Sequence, residues 1–268
     1  MYNISHDDYI FSSEEFLKDR LTYDVLWYAR FNAEILKSDC KSFIICRSND
    51  SFPAIVWIDD NITDKDFNSL AFCLKQVFRG KVPYVMVKES FAERIKGVFN
   101  PLKVEKQTGL VAYVMDKLPA KLNYPKGEVL RNATEKDKDV LIEYIKGFQT
   151  DCFGSHGSSE EVLRLVENRI TSPDSYIYDV AGVIVGMISC GKKSEGYCRI
   201  QAVYITPKYR NFGYGIRMTL RACEKIFEQG YKPNLFADAA NPVSNHIYKK
   251  AGFKEVGRLA EIKMDGIQ

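Results

Sequence analysis

The stretch Tyr204-Ile205-Thr206-Pro207-Lys208-Tyr209-Arg210-Asn211-Phe212-Gly213-Tyr214-Gly215 decides how this chain is read. A β-run ends at Pro207, a basic loop of the form Arg-x-x-Gly-x-Gly follows, and an amphipathic helix begins at once. That order gathers free backbone N–H groups and the positive end of a helix dipole around a small concavity, a seat suited to phosphate. Gly213 and Gly215 let the backbone approach an anion closely and take positive φ. Arg210 adds a permanent charge to the same mouth. Upstream, residues 196–206 alternate and are rich in β-branched and aromatic types, as a strand requires. Downstream, Ile216, Leu220, Cys223 and Phe227 recur at the helical period, and Gly230 stands where a C′ glycine belongs. A P-loop is excluded because no Gly-Lys-Ser/Thr follows. A dinucleotide fingerprint is excluded because the spacing is one glycine short and no strand with a terminal acid comes at the expected distance.

The 268 residues suit two domains of ordinary size, and 46% apolar with 27% charged residues describe a globular protein with ample core. A net charge of +3, spread without a basic block, argues against a general nucleic-acid binder. Seven cysteines occur without a Cys-x-x-Cys pair and mostly inside apolar runs, which points to reduced core thiols rather than disulfides or zinc. The three histidines share no ligand spacing, so no metal is expected. The first residues are polar and acidic, unlike a signal peptide, and the longest apolar run, 180–190, is too short to span a bilayer. No membrane partner and a cytoplasmic location are the expectations.

Residues 117–127 carry two prolines and a glycine and read as a linker. Beyond it the spacing predicts β-α-α-β-β-β-α-β-α-β, ending in β-structure over 253–264. Ahead of it, residues 1–116 read as a worn version of the same plan. Strands are expected at 43–46, 54–58, 82–87 and 109–115, with helices at 63–78 (Thr63 as N-cap) and 90–99. Where the second half has its basic glycine loop, the first half has Asp59-Asp60-Asn61-Ile62-Thr63. Two carboxylates there repel phosphate. The expected fold is therefore α/β with a mixed sheet, in two domains: 1–120 without a phosphate loop, and 127–268.

With these elements in place, residues 127–268 resemble the GNAT superfamily of acyl-CoA-dependent N-acetyltransferases. The match lies in Val203-Tyr204-Ile205-x-Pro207-x-Tyr209-Arg210-x-x-Gly213-x-Gly215 and in the later run from Asn241 through Ser244, Ile247 and Tyr248 to Gly252-Phe253. The whole is similar to a tandem-GNAT arrangement whose N-terminal copy is degenerate. The resemblance implies acetyl-CoA as cosubstrate and transfer of its acetyl group to a primary amine on a small molecule or peptide. It implies that the backbone of Val203, Tyr204 and Ile205 pairs with the pantetheine arm and polarises the thioester carbonyl. Backbone amides of Arg210, Asn211, Phe212, Gly213, Tyr214 and Gly215, with Ile216 at the helix start, would hold the pyrophosphate. Asn241 would hydrogen-bond pantetheine, and Tyr248 would protonate the departing thiolate.

Amide formation from a thioester needs positioning, worth roughly 7–11 kcal/mol of barrier, an oxyanion donor, and a route for the proton of an ammonium with pKa of about 10. Many family members carry Glu in the strand before the loop, where Gln201 stands here. Glutamine is no base. Asp238, Glu195 and a water relay through backbone carbonyls are the alternatives. Other readings stand beside these: Tyr248 as a packing tyrosine, Asn241-Pro242 as a helix start, Asp238 as a loop tie. Arg217 lies close enough to the loop to meet the nucleotide's 3′-phosphate. A non-catalytic acyl-CoA sensor is the competing function, and nothing in the sequence selects the acceptor.

Overall fold

The structure is a computed structural model that describes residues 1–265, apart from the side chain of Lys192. The chain divides into two compact units. One is 1–112 with 237–242 and the residues from Glu255 onward; the other is 113–236 with 243–254.

The first unit begins with β1 (Tyr2–Asn3), α1 (Glu14–Lys18), α2 (Asp24–Ala29) and β2 (Ile35–Ser38). It continues through β3 (Phe43–Arg47), β4 (Ala54–Ile58), α3 (Asp64–Val77), β5 (Tyr84–Lys88), α4 (Ala92–Val98) and β6 (Val104–Val114). Strands β3 and β4 are buried throughout, which suits strands covered on both faces. Phe67, Leu70, Cys73 and Leu74 of α3 and Ile95 of α4 pack on Phe43, Ile45, Val56 and Val87. On α1, Phe16 meets Trp57 edge-on at 5.5 Å. Thr63 caps α3 as expected, its hydroxyl accepting the Asp66 N–H at 3.2 Å.

Strands β4 and β5 are parallel and joined by α3, with Val56 and Val87 the last register partners. Beyond that pair the Tyr23 hydroxyl stands between the strands. It donates to the Val56 carbonyl at 3.0 Å and accepts the Lys88 N–H at 2.8 Å. Lys88 is held in turn by Asp19 at 2.9 Å and Asp60 at 2.7 Å.

The second unit runs β7 (Glu128–Asn132), α5 (Lys138–Phe153), α6 (Ser159–Thr171), β8 (Ser175–Val180), β9 (Val183–Ser194), β10 (Tyr197–Ile205), α7 (Tyr214–Glu228), β11 (Lys232–Asp238) and α8 (Pro242–Ala251). With β12 (Lys254–Met264) this is the expected element order. Its strands lie in the order β11-β10-β9-β8-β7. Leu141, Tyr144 and Ile145 of α5 and Val162 and Val166 of α6 cover Ile177, Met187 and Tyr204. Helix α7 packs on β9 and β10.

Two expectations change. Strand β12 pairs antiparallel with β5 and lies between β5 and β6, so it belongs to the first unit, and 255 onward does not close a 127–268 domain. Its alternating Ala260, Ile262 and Met264 complete the first core, which would otherwise have a gap between β5 and β6. Residues 266–268 of the expected domain lie outside the described residues. On α7, the buried stripe is Met218, Thr219, Ala222, Cys223 and Ile226. Of the expected apolar face only Cys223 belongs to it; Ile216, Leu220 and Phe227 flank it half-buried.

Candidate active site

The loop before α7 takes its shape from two left-handed residues, Asn211 (φ 67°) and Gly213 (φ 76°). Gly213 is the N-cap of α7 and makes no side-chain cap bond. The first backbone bond into the helix runs from Arg217 N–H to the Gly213 carbonyl at 3.3 Å. Among the described residues, the six N–H groups from Asn211 to Ile216 therefore have no protein acceptor. They sit at the positive end of a 15-residue helix. Gly215 keeps the wall thin: a Cβ there would meet Ile247 Cδ1 of α8 at 3.3 Å.

The two nearby arginines are already engaged. Arg210 donates Nε to the Ile205 carbonyl at 2.9 Å and pairs with Asp151 of α5 at 2.5 Å. It staples the loop to the end of β10, so the charge expected at the mouth is shared with a carboxylate. Arg217 is bidentate on Glu128, at 2.7 and 2.8 Å. With both guanidinium groups engaged, the uncommitted donors of the loop are its backbone N–H groups.

Strand β10 opens beside this loop. Its parallel ladder with β11 holds only at Tyr197↔Lys232, Cys198↔Pro233 and Arg199↔Asn234. From Ile200 the two strands part, which leaves the β11-facing edge of β10 unpaired. On the other side, Gln201 pairs with Ser189 and Tyr204 with Met187, so Ala202 and Val203 oppose the single residue Ile188. This is a β-bulge, with Ala202 at φ 52°. Gly186 admits the bulged strand: a Cβ there would come within 2.5 Å of the Tyr204 carbonyl.

The bulged strand splayed from its parallel neighbour and the uncapped helix N-terminus it leads into lie within the residues that match a known family. Residues 142–253 match the acetyltransferase (GNAT) family. The chain carries a GNAT acetyltransferase domain. No curated protein matches the sequence. Among solved structures, the fold is similar to that of a GCN5-related N-acetyltransferase from Kribbella flavida, with TM-score 0.62, 11% identity, and 95% of this chain and 98% of that one covered. It is similar to a GNAT-family acetyltransferase from Colwellia psychrerythraea, with TM-score 0.60, 11% identity and 96% and 93% covered. A third, from Sphaerobacter thermophilus, has TM-score 0.60, 14% identity and 85% and 78% covered. These three likenesses are likenesses of fold.

Within the GNAT domain, Tyr248 is 7% exposed on α8, its ring 6.0 Å from that of Tyr113 and 5.9 Å from that of Phe253. Burial pushes its phenol well above the ordinary range, which keeps it protonated. Among the described residues its hydroxyl has no hydrogen-bond partner. Tyr113 fixes α8 by donating to Asn245 Oδ1 at 2.8 Å. That contact links residues far apart in sequence, and no motif announces it.

Val203, Tyr204 and Ile205 lie on the open strand, and the Tyr204 side chain turns into the α5 core, 5.6 Å from the Tyr144 ring. Phe212 is 63% exposed and stacks on Tyr214 at 5.9 Å. Glu195 is not brought to the loop. It forms the Glu195-Gly196 hairpin turn (φ 46° and 82°) at the opposite end of β10, roughly 25 Å along the strand from Val203. Asp238 and Asn241 group with the first unit. There the Asp238 carboxylate accepts the Ala240 N–H at 2.8 Å, and its carbonyl accepts the Asn241 N–H at 3.0 Å. The loop-tie reading fits this geometry. Among the described residues no cluster of His, Cys, Asp or Glu could hold a metal ion, and no helix is long and apolar enough to cross a membrane.

Proposed function

We propose that the GNAT domain transfers an acetyl group from acetyl-CoA to a primary amine. The observation that carries this is the run of N–H groups from Asn211 to Ile216, without acceptors and next to the open edge of β10. Their donor chemistry fits a diphosphate, and the free strand edge fits the amide groups of a pantetheine arm. Acetyl-CoA supplies an activated acyl group. The chain's own residues position it, hold the thioester carbonyl against a β10 N–H near Val203–Ile205, and offer the protonated Tyr248 hydroxyl to the leaving sulfur. With Gln201 where a carboxylate base stands in many relatives, the acceptor's proton leaves through water.

The first unit supports a structural or substrate-shaping role as a degenerate copy. It repeats the strand–helix–parallel strand unit as β4-α3-β5, yet its helix is capped by Thr63 and its strand gap is filled by Tyr23.

Equilibrium dialysis against CoA, followed by thiol release over a panel of amines, tests the reading. Amine-dependent release of CoA supports it. Binding at micromolar affinity with no release on any amine would favour the acyl-CoA sensor, and absence of binding at millimolar CoA would remove both.

A further inference from the structure

On the α6 side of the second unit's sheet stands a cation without an acid. Register pairs Ser175 with Ser189 and Ser189 with Gln201, so three side chains form a row across β8, β9 and β10 on one face. Arg169 of α6 reaches into this row, donating Nη1 to Ser189 Oγ at 2.5 Å, with the Ser175 and Ser189 hydroxyls 3.1 Å apart. Both serines are buried and the arginine is half-buried. Among the described residues no carboxylate lies within 4.0 Å of its guanidinium. The acid just before β8, Asp174, gives both oxygens to Lys193 at 2.9 Å. Burial draws Arg169 down to about 10, which leaves it charged at neutral pH.

A half-buried guanidinium with a serine hydroxyl and no carboxylate beside it is only partly compensated, and its planar fork fits a carboxylate by two parallel hydrogen bonds. The row it serves ends at Gln201, the last residue before the bulge. Resting on the proposed acetyl transfer, we infer that the acceptor is a small amine that also bears a carboxylate, recognised by Arg169 while its amine faces the open edge of β10. Ser189 holds the guanidinium from beneath and is itself steadied by the Ser175 hydroxyl.

Matched pairs of amino acids and their amides, assayed by thiol release, test this. Wild type should favour the carboxylate member by roughly 10- to 100-fold in kcat/KM, the range for a charge-assisted pair. In Arg169→Met the ratio should fall to about one, and in Arg169→Lys it should fall only part of the way. Equal rates for acids and amides in the wild type, or an unchanged ratio in a folded R169M, would overturn the inference and leave acetyl transfer standing. If wild type binds no CoA, the functional reading fails by itself. Calorimetry of the same acids and amides on wild type and R169M then decides: acid-selective binding lost in R169M supports the site, and no selective binding removes it.

Discussion

Replacing Gly147 by alanine should destabilise this protein, against the usual sign for an exchange inside a helix. Gly147 lies within α5, where Gly→Ala ordinarily gains about 0.5–1 kcal/mol from backbone entropy. Here a Cβ would meet the Tyr204 hydroxyl head-on and its Cζ at 2.8 Å. The phenol has little room to retreat. Tyr204 is 7% exposed, packs on Tyr144 at 5.6 Å, and is fixed in register opposite Met187 directly after the bulge. Overpacking of that kind costs about 1–3 kcal/mol, so the strain exceeds the helix gain and leaves a net loss of roughly 0.5–2 kcal/mol. At about 2–4 °C per kcal/mol, Tm should fall by several degrees. Because the displaced ring belongs to the open strand, CoA affinity should fall with it. Removing the hydroxyl relieves the nearest contact, so alanine should cost less in a Tyr204→Phe background, with a coupling of at least about 0.5 kcal/mol. A G147A protein that melts higher than wild type, or an equal cost in both backgrounds, would refute this packing of α5 on β10.

Gly215→Asp puts a carboxylate among the loop N–H groups; at about 4 Å and an effective dielectric near 20 the repulsion of one phosphate charge is roughly 4 kcal/mol. CoA affinity by dialysis should drop on the order of 1,000-fold, and a loss under tenfold would move the anion elsewhere. Tyr248→Phe should lower turnover on the order of 100-fold with CoA affinity within about twofold of wild type; normal turnover would end its role as acid. Without a side-chain base at Gln201, kcat/KM should rise about tenfold per pH unit up to the acceptor amine's pKa, and Gln201→Glu should bring the plateau to lower pH. A wild-type plateau near neutrality would reveal another base. Arg131, with Thr134, holds the buried Asp137 carboxyl down to about 2. A folded-state pKa below the unfolded one stabilises above about pH 4, and that gain is lost as pH falls from 4 toward 2. The urea-derived stability gap between wild type and Asp137→Asn should therefore shrink by about 2 kcal/mol over that window; parallel profiles would contradict it.

The parts legible in the sequence are those written in local chemistry. Helix α8 runs from Pro242 to Ala251, starting at its proline as Asn241-Pro242 suggests, and Thr63 caps α3 as expected. In the loop at residues 210–215 the positive φ read from the glycines holds at Gly213, whereas Gly215 lies within α7 without it. The bulge beside it was not legible, since alanine at φ 52° leaves no mark in sequence. Helices α1 and α2 are five and six residues long, too short for a periodic signature. They are held by the burial of Phe16, Leu26 and Trp27. Alternation identifies β12 as a strand but not its neighbour, because register depends on which core lacks a row of side chains. The arginines misled for a related reason: sequence shows that Arg210 and Arg217 carry charge, while only structure shows Asp151 and Glu128 taking it.

The two parallel strand–helix–strand units differ in how they satisfy the gap between their strands, a contrast that the proposed CoA binding by the second unit would use. In both, the strands part after three register pairs, β4 from β5 and β10 from β11. A gap of that kind exposes backbone donors and acceptors that must be satisfied by something. In the first unit the chain satisfies them internally. Tyr23 bridges the gap, Thr63 caps α3, and Asp64 and Asp66 in its first turn neutralise the helix dipole. In the second unit α7 begins at a left-handed glycine with no acidic residue in its first turn and no side-chain cap. Among the described residues, six N–H groups there have no protein acceptor. Under the proposed acetyl transfer, lining the first gap with glycines alone would not convert it, because Tyr23 would still bridge the strands and Asp64 and Asp66 would still stand in the first turn of α3.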